Sequence, residues 1–221
     1  AGSLTNTTNT VQTTTFTIKA TANSCDSATT TVTVTVNPRP TVAVSTATQT
    51  ICGNDAISPI TITNPNNVVG TTFSWSRDKL VEVPANPGMI AASGTGNISG
   101  NLFNNTNSNQ VVTFTITATA AGCASTTTTS TITVKPTPTI AISNSSQTIC
   151  SATAIANMAI SNPNNVAGTT YTWSRDNTAL VTGIANSGSS SGPFSISGTL
   201  ANSNGGTQTT TFTIIATANG C

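Results

Sequence analysis

Histidine is absent, and the 221 residues hold only five carboxylates and six Lys or Arg. Charged residues make up 5% of the chain, against about 25% in an ordinary soluble domain. Hydrolase or transferase chemistry needs a poised acid or base, and this composition offers almost none. The reading is therefore no enzyme, no catalytic residues and no cofactor. A net charge of +1 supplies no field for nucleic acid, which needs clustered Lys and Arg. No apolar run approaches the ~20 residues of a membrane span. The opening Ala1-Gly2-Ser3-Leu4-Thr5-Asn6 has neither the basic nor the apolar region of a signal peptide. Aromatics amount to only 4%, so any core must be built from small β-branched residues.

What is present is Thr, Ser and Asn, which fill 100 of the 221 positions, together with alternating Val, Ile and Phe. Such alternation belongs to β structure and not to a disordered chain. An interval of 98 relates Cys25, Cys123 and Cys221, and also Cys52 and Cys150. The same interval relates Phe16, Phe114 and Phe212, Trp75 and Trp173, and Arg77-Asp78 and Arg175-Asp176. Shifting the chain by 98 without a gap matches 42 of the 86 positions from Pro38 to Cys123. The chain therefore divides into the C-terminal strands of a preceding repeat (1–37), a complete repeat (38–135), and a third repeat (136–221) lacking its last strand. The expectation is a stretch of a longer repetitive chain, with completion by a neighbouring chain's strand as the weaker alternative.

Period-two patterns run through Thr13–Ala20, Thr31–Val36, Thr41–Ser45, Ile60–Thr63, Thr72–Arg77, Val112–Ala118 and Thr131–Val134, with a weaker one at Ile98–Leu102. Asn64-Pro65-Asn66-Asn67 and its copy at 162–165 read as turns. Several short strands per 98 residues predict an all-β fold of tandem immunoglobulin-like sandwiches. The linkers Asn37-Pro38-Arg39-Pro40 and Lys135-Pro136-Thr137-Pro138 are stiff spacers, because proline fixes φ and extends its neighbour. The product is a semi-rigid rod.

Two disulfide pairings respect the repeat. One joins Cys52 to Cys123 and Cys150 to Cys221, leaving Cys25 for a partner outside these residues. The other joins Cys25 to Cys52 and Cys123 to Cys150. A last strand, a linker and a first strand separate Cys123 from Cys150, placing them tens of ångströms apart at ~3.3 Å per residue. A disulfide needs Cα atoms within about 7 Å, so the first pairing is expected. It would place the chain in an oxidising, extracytoplasmic compartment. Metal ligation is excluded for want of a Cys-x-x-Cys or a histidine.

Trp75 and Trp173 read as core tryptophans packing on a disulfide rather than as sugar platforms, with Arg77-Asp78 and Arg175-Asp176 outward or in turns. The stretch from Lys79 to Asn97 barely matches Asn177 to Ser195. It is read as a freely drifting loop, with Val83, Pro84, Asn86 and Met89 as its candidate contact residues. With so little charge, solubility must come from hydroxyls, amides or attached glycans. Asp26-Ser27-Ala28 resembles the Asp-Ser/Thr-small-apolar pattern O-glycosylated in some bacterial surface proteins, a resemblance that implies Ser27 as a candidate, and Asn6, Asn97, Asn104 and Asn144 begin Asn-x-Ser/Thr sequons. A Lys–Asn isopeptide staple is rejected, since Lys19, Lys79 and Lys135 do not recur at matched positions. Ice binding by the Thr ladders is disfavoured, since a sandwich is twisted.

Ile51-Cys52, Thr72-Phe73-Ser74-Trp75, Ile98-Ser99-Gly100-Asn101-Leu102, Thr113-Phe114-Thr115-Ile116-Thr117, Gly122-Cys123 and the closing Thr-Val-Thr-Val-Asn-Pro resemble the PKD-like repeats of giant Bacteroidota surface proteins. The resemblance covers essentially the whole chain. It departs from true PKD domains, whose Trp-Asp-Phe-Gly-Asp-Gly is here Trp75-Ser76-Arg77-Asp78-Lys79. The resemblance implies a stalk segment of a secreted or cell-surface adhesin, often exported by type IX secretion. The expected role is a disulfide-stapled, glycosylated structural segment of an extracellular fibre, its partners being neighbouring repeats or identical chains. The alternative is an adhesin module binding glycan or protein through the Val83–Asn97 loop.

Overall fold

A computed structural model describes residues 2–221, and every regular element in it is a β-strand. The middle repeat forms a sheet in the order Thr48–Cys52, Thr128–Lys135, Gln110–Ala120, Thr72–Arg77 and Ser93–Thr95. The first pairing is parallel and the others antiparallel. Opposite lies a smaller sheet in which Ala43–Val44 pairs with Ile62–Thr63, extended by a bridge between Ile60 and Ile98. The all-β, immunoglobulin-like expectation holds.

The period-two pattern decides which residues face inward. Along Gln110–Ala120, Val112, Phe114, Ile116, Ala118 and Ala120 are buried while the threonines between them are not. Ile132 and Val134 come in from the neighbouring strand, and Ile60, Ile98 and Leu102 from the opposite face. Trp75 sits edge-on to Phe114 at a centroid distance of 5.7 Å.

The third repeat builds a similar core from Met158, Ile160, Tyr171, Val181, Ile196 and Leu200. Phe212–Thr217 stands at the edge of its sheet. Beside it opens a groove of about 670 Å³ lined by Ile155, Met158, Leu200, Phe212 and Ile214. In residues 2–37 the strands Gln12–Ile18 and Thr30–Val36 form a hairpin. Phe16 pairs with Val32 there, matching Phe114 with Ser130 in the middle repeat. Among the described residues the hairpin meets no opposite sheet, so Phe16 is 46% exposed where Phe114 is 0% exposed. Burying one such side chain contributes ~1.5–3 kcal/mol, so the same residues stabilise one repeat and lie open in the other.

Both linkers are pinned. Pro38, Pro40, Pro136 and Pro138 are buried. The Asn66 side chain donates to the Arg39 carbonyl at 2.9 Å and accepts from the Thr41 N–H at 2.9 Å. Asn164 repeats this with Thr137 and Thr139, both at 3.0 Å. The Asn-Pro-Asn-Asn turns therefore do more than reverse the chain: each clamps the linker entering its own repeat.

Candidate functional site

The junction between the middle and third repeats is where the chain departs most from expectation. Cys52 is bonded to Cys221, with Cα atoms 5.5 Å apart, and Cys25, Cys123 and Cys150 are free. The expected Cys52–Cys123 and Cys150–Cys221 pairs are not formed. The reason lies in the parallel pairing of Thr48–Cys52 with Thr128–Lys135, which sets Cys52 opposite Lys135 at the exit end of the repeat. Cys123 lies just before that strand begins, on the turn at the entry end. The eight residues of Thr128–Lys135 span roughly 26 Å at ~3.3 Å per residue. The two cysteines of one repeat therefore lie at opposite ends of the sandwich. The cysteine within reach of Cys52 is the one at the entry end of the next repeat.

Polar contacts surround the bond. The Gly53 N–H donates to the Lys135 carbonyl at 2.8 Å, and the Thr137 hydroxyl donates to the Gly53 carbonyl at 3.2 Å. The Lys135 ammonium donates to the Asn219 carbonyl at 2.8 Å. At the other junction, Asn37 donates to the Ala121 carbonyl at 3.1 Å and Arg39 to the Ala124 carbonyl at 2.7 Å. In both places the turn ahead of the second cysteine leans on the residue preceding the Pro-x-Pro linker.

A second departure concerns Arg77, expected outward or in a turn and found on a strand, 5% exposed. Phe73, Trp75 and Arg77 share one face of Thr72–Arg77, and the guanidinium runs under the following loop. It donates to the carbonyls of Val83 at 2.7 Å, Ile90 at 3.0 Å and Ala91 at 3.0 Å. Burial lowers its pKa and the neighbouring Asp78 charge partly offsets this, yet an Arg so placed stays ionised. Arg175 does the same for Val181 at 2.7 Å, Ile184 at 2.9 Å and Ala185 at 3.1 Å. Asp78 and Asp176 accept from the N–H groups of Thr113 and Thr211 at 2.7 and 2.6 Å. The loop is therefore held from beneath in both repeats and does not drift freely.

These contacts give the alignment that an ungapped shift obscures. Val83 corresponds to Val181 and Ile90 to Ile184, so the segment 84–89 of the middle repeat answers to residues 182–183 of the third. Trp75 pairs with Gly94, but Trp173 pairs with Gly188. The third repeat regains the length before Phe194–Ile196. Of the expected contact residues, Val83 is 0% exposed and so is unavailable to a ligand. Asn86 is exposed, and Pro84 and Met89 are half-buried.

The model of the PKD-like domain matches residues 49–138 and 147–221. The chain belongs to the PKD-like family. No curated protein sequence matches it. Among solved structures, the PKD-like chain is similar to CBD12 from CALX1.2, at 8% identity over 72% of this chain and 76% of that one, with a TM-score of 0.34. It is similar to the chicken CNTN1 FN1-FN3 domains at 12% identity, over 91% of this chain and 68% of that one, with a TM-score of 0.29. The human Desmocollin-1 ectodomain aligns at 12% identity over 86% of this chain, which spans 38% of that ectodomain, with a TM-score of 0.31.

The remaining candidate residues fall within the PKD-like framework. Trp75 is buried and Trp173 half-buried, each against the glycine opposite it, and their aromatic neighbours are Phe114 and Phe212. Neither tryptophan packs on a disulfide, because the disulfide lies at the junction. Ser27 is exposed, but its hydroxyl accepts from the Ala20 N–H at 3.0 Å and donates to the Ala28 carbonyl at 2.9 Å. The hydroxyl of the matching Ser125 likewise accepts from the Ala118 N–H, and Ser125 is buried. A glycan on Ser27 would remove the hydroxyl proton and with it the bond to the Ala28 carbonyl, while the oxygen could still accept from Ala20. Among the sequon asparagines, Asn104 is buried and donates to the Ser108 and Val134 carbonyls. Among the described residues, no cluster of three or more Cys, Asp or Glu is placed to hold a metal ion, and no helix is long and apolar enough to cross a membrane.

Proposed function

We propose that this chain is a structural segment of an extracellular rod, in which PKD-like repeats are locked end to end. The observation that carries this reading is the Cys52–Cys221 bond, which ties the exit end of one repeat to the entry end of the next. The buried Pro-x-Pro linker supports it, since bending at the junction would break the bonds that cross it, from Thr137 to Gly53 and from Lys135 to Asn219. A disulfide also fits an oxidising, extracytoplasmic compartment. Within this reading the rod is the stalk of a secreted or cell-surface protein of the Bacteroidota kind. Neighbouring repeats or identical chains are its partners, and glycans on its exposed Thr and Ser supply solubility.

Small-angle X-ray scattering before and after reduction tests the proposal. The oxidised chain should scatter as a stiff rod, and reduction or Cys52→Ser should broaden the range of bend at the junction while each repeat stays folded. Two freely jointed bodies in the oxidised state would refute it. The second reading, an adhesin module, is favoured by one observation: Leu80 and Val81 are exposed large apolar residues on the Arg77-held loop. Selective binding on a glycan array, lost when Val81 and Asn86 are changed together, would favour that reading instead.

A further inference from the structure

Three free thiols in a disulfide-bearing rod call for an explanation, and the repeat supplies one. Cys52 and Cys150 occupy the same turn. The second residue after each, Asn54 or Ala152, has positive φ (77° and 61°). Each of these donates its N–H to the matching leucine carbonyl, Leu102 at 2.7 Å and Leu200 at 2.9 Å. Asp55 donates back to the Cys52 carbonyl at 3.1 Å, and Thr153 to the Cys150 carbonyl at 3.3 Å.

Cys123 and Cys221 also share a turn. The two residues ahead of each have positive φ, at 47° and 77° for Ala121 and Gly122 and at 54° and 84° for Asn219 and Gly220. Both turns rest on the residue before a Pro-x-Pro linker, through Asn37 in one case and Lys135 in the other. Cys150 is thus presented as Cys52 is, and Cys123 as Cys221 is. Cys52 and Cys221 are bonded across a separation of 169.

We propose that the Cys52–Cys221 bond is one rung of a ladder, in which the first cysteine of every repeat is joined to the second cysteine of the repeat that follows. Cys150 then takes the second cysteine of a PKD-like repeat placed after it. Cys123 takes the first cysteine of one placed before it, and Cys25 stands as Cys123 does, one repeat earlier. The partner thiol belongs to a further PKD-like repeat, carried by the same polypeptide or by a second copy seated head to tail. In the second-copy case Cys150 of one chain meets Cys25 of the next, the second-position cysteine that comes first in that copy. Each rung forms when two protein thiols give up two electrons and two protons to a disulfide oxidant such as oxidised glutathione, which leaves as two thiols. The inference rests on the rod reading and adds to it which cysteines hold the rod together.

The test is disulfide mapping of the protein taken from the cells that make it. Free thiols are alkylated before any reduction, the protein is digested unreduced, and the linked peptides are sequenced. The expected result is no alkylated Cys150, which is joined instead to a second-position cysteine of the following repeat. Alkylated Cys123 and Cys150, or Cys150 joined to Cys221, overturns the ladder. The two sources of partner are separated by reducing a mixture of isotopically labelled and unlabelled protein and reoxidising it with oxidised glutathione. Linked Cys25–Cys150 peptides of mixed label mean a second copy. Linkage to a further repeat without label mixing means the same chain. A Cys123–Cys150 link found only unmixed is an intrachain bridge between neighbouring repeats and overturns the proposal. Rod-like scattering together with alkylated Cys150 would sink the ladder and leave the rod.

Discussion

Replacing Arg77 with Met removes the guanidinium while keeping most of its apolar stem. Three carbonyls, those of Val83, Ile90 and Ala91, then lose a charged donor at 2.7 to 3.0 Å beneath a loop that excludes water. Hydrogen bonds to charged groups are worth ~1.5–3 kcal/mol each, and a stranded buried acceptor costs ~1–3 kcal/mol. The three share one side chain, and the loop can hinge outward to hydrate some of them, so the terms do not add in full. A net loss of ~3–5 kcal/mol is expected, the range for breaking a buried charged network. For a unit of about a hundred residues that lowers Tm by ~15–25 °C.

Trp75 reports on this repeat alone once Trp173 is changed to Phe, because the chain has only two tryptophans. Melting would be followed by its fluorescence. Arg77→Lys is the discriminating variant: an ammonium keeps the charge but cannot reach three carbonyls in fork geometry, so it should recover less than half of the loss. A Lys variant as stable as the parent would show that charge alone suffices. A Met variant melting within a few degrees of the parent would refute the argument outright.

Gly94 pairs with Trp75, and a Cβ there would lie 2.5 Å from the indole Cζ2. Gly94→Ala should therefore cost ~1–3 kcal/mol by overpacking, and an unchanged melt would mean that the ring has room to move. Asp26 is held below the ordinary aspartate range, first by the Lys19 ammonium at 2.5 Å and then by the Thr21 hydroxyl. A depressed carboxylate pKa gives support that is present above the unfolded value and lost as pH falls through the folded one. An NMR titration should find Asp26 below the ordinary aspartate range and raised towards it in Lys19→Ala, with the Thr21 hydroxyl still lowering it. An ordinary value in the parent chain would count against the ion pair.

The strands were legible because their signal is local. Val112-Thr113-Phe114-Thr115-Ile116 writes its inward face into every second letter, and the fold follows it. Arg77 was legible by the same rule and was missed. It stands two residues after Trp75, so the pleat turns it inward, and charge outweighed register in the reading. The loop after it looked unrelated between repeats because a shortening at 182–183 is offset before Phe194, and a fixed shift of 98 crosses both. The disulfide was not legible from one repeat at all. Its geometry depends on Thr48–Cys52 running parallel to Thr128–Lys135, a non-local pairing, and on which end of the next repeat abuts Lys135.

That placement changes what a disulfide does for a rod. A bond within each repeat would limit how far that repeat unravels and leave every linker as the lone covalent connection between neighbours. The Cys52–Cys221 bond spans the linker Lys135–Pro138 instead, so severing or stretching that segment does not separate the repeats. In a full ladder the loops overlap, since a span of 169 residues exceeds the period of 98. Every peptide bond then lies inside at least one closed loop, and a single backbone cut leaves the rod continuous. Under load, the shortest covalent route alternates a rung with the 27 residues that lead from a second-position cysteine to the next first-position one, as from Cys123 to Cys150, and each such step advances two repeats. At ~3.5 Å per extended residue, that caps the stretch at ~50 Å per repeat against ~340 Å without rungs. The rungs therefore set the rod's extensibility, whereas the hydrophobic cores set the force at which it begins to give.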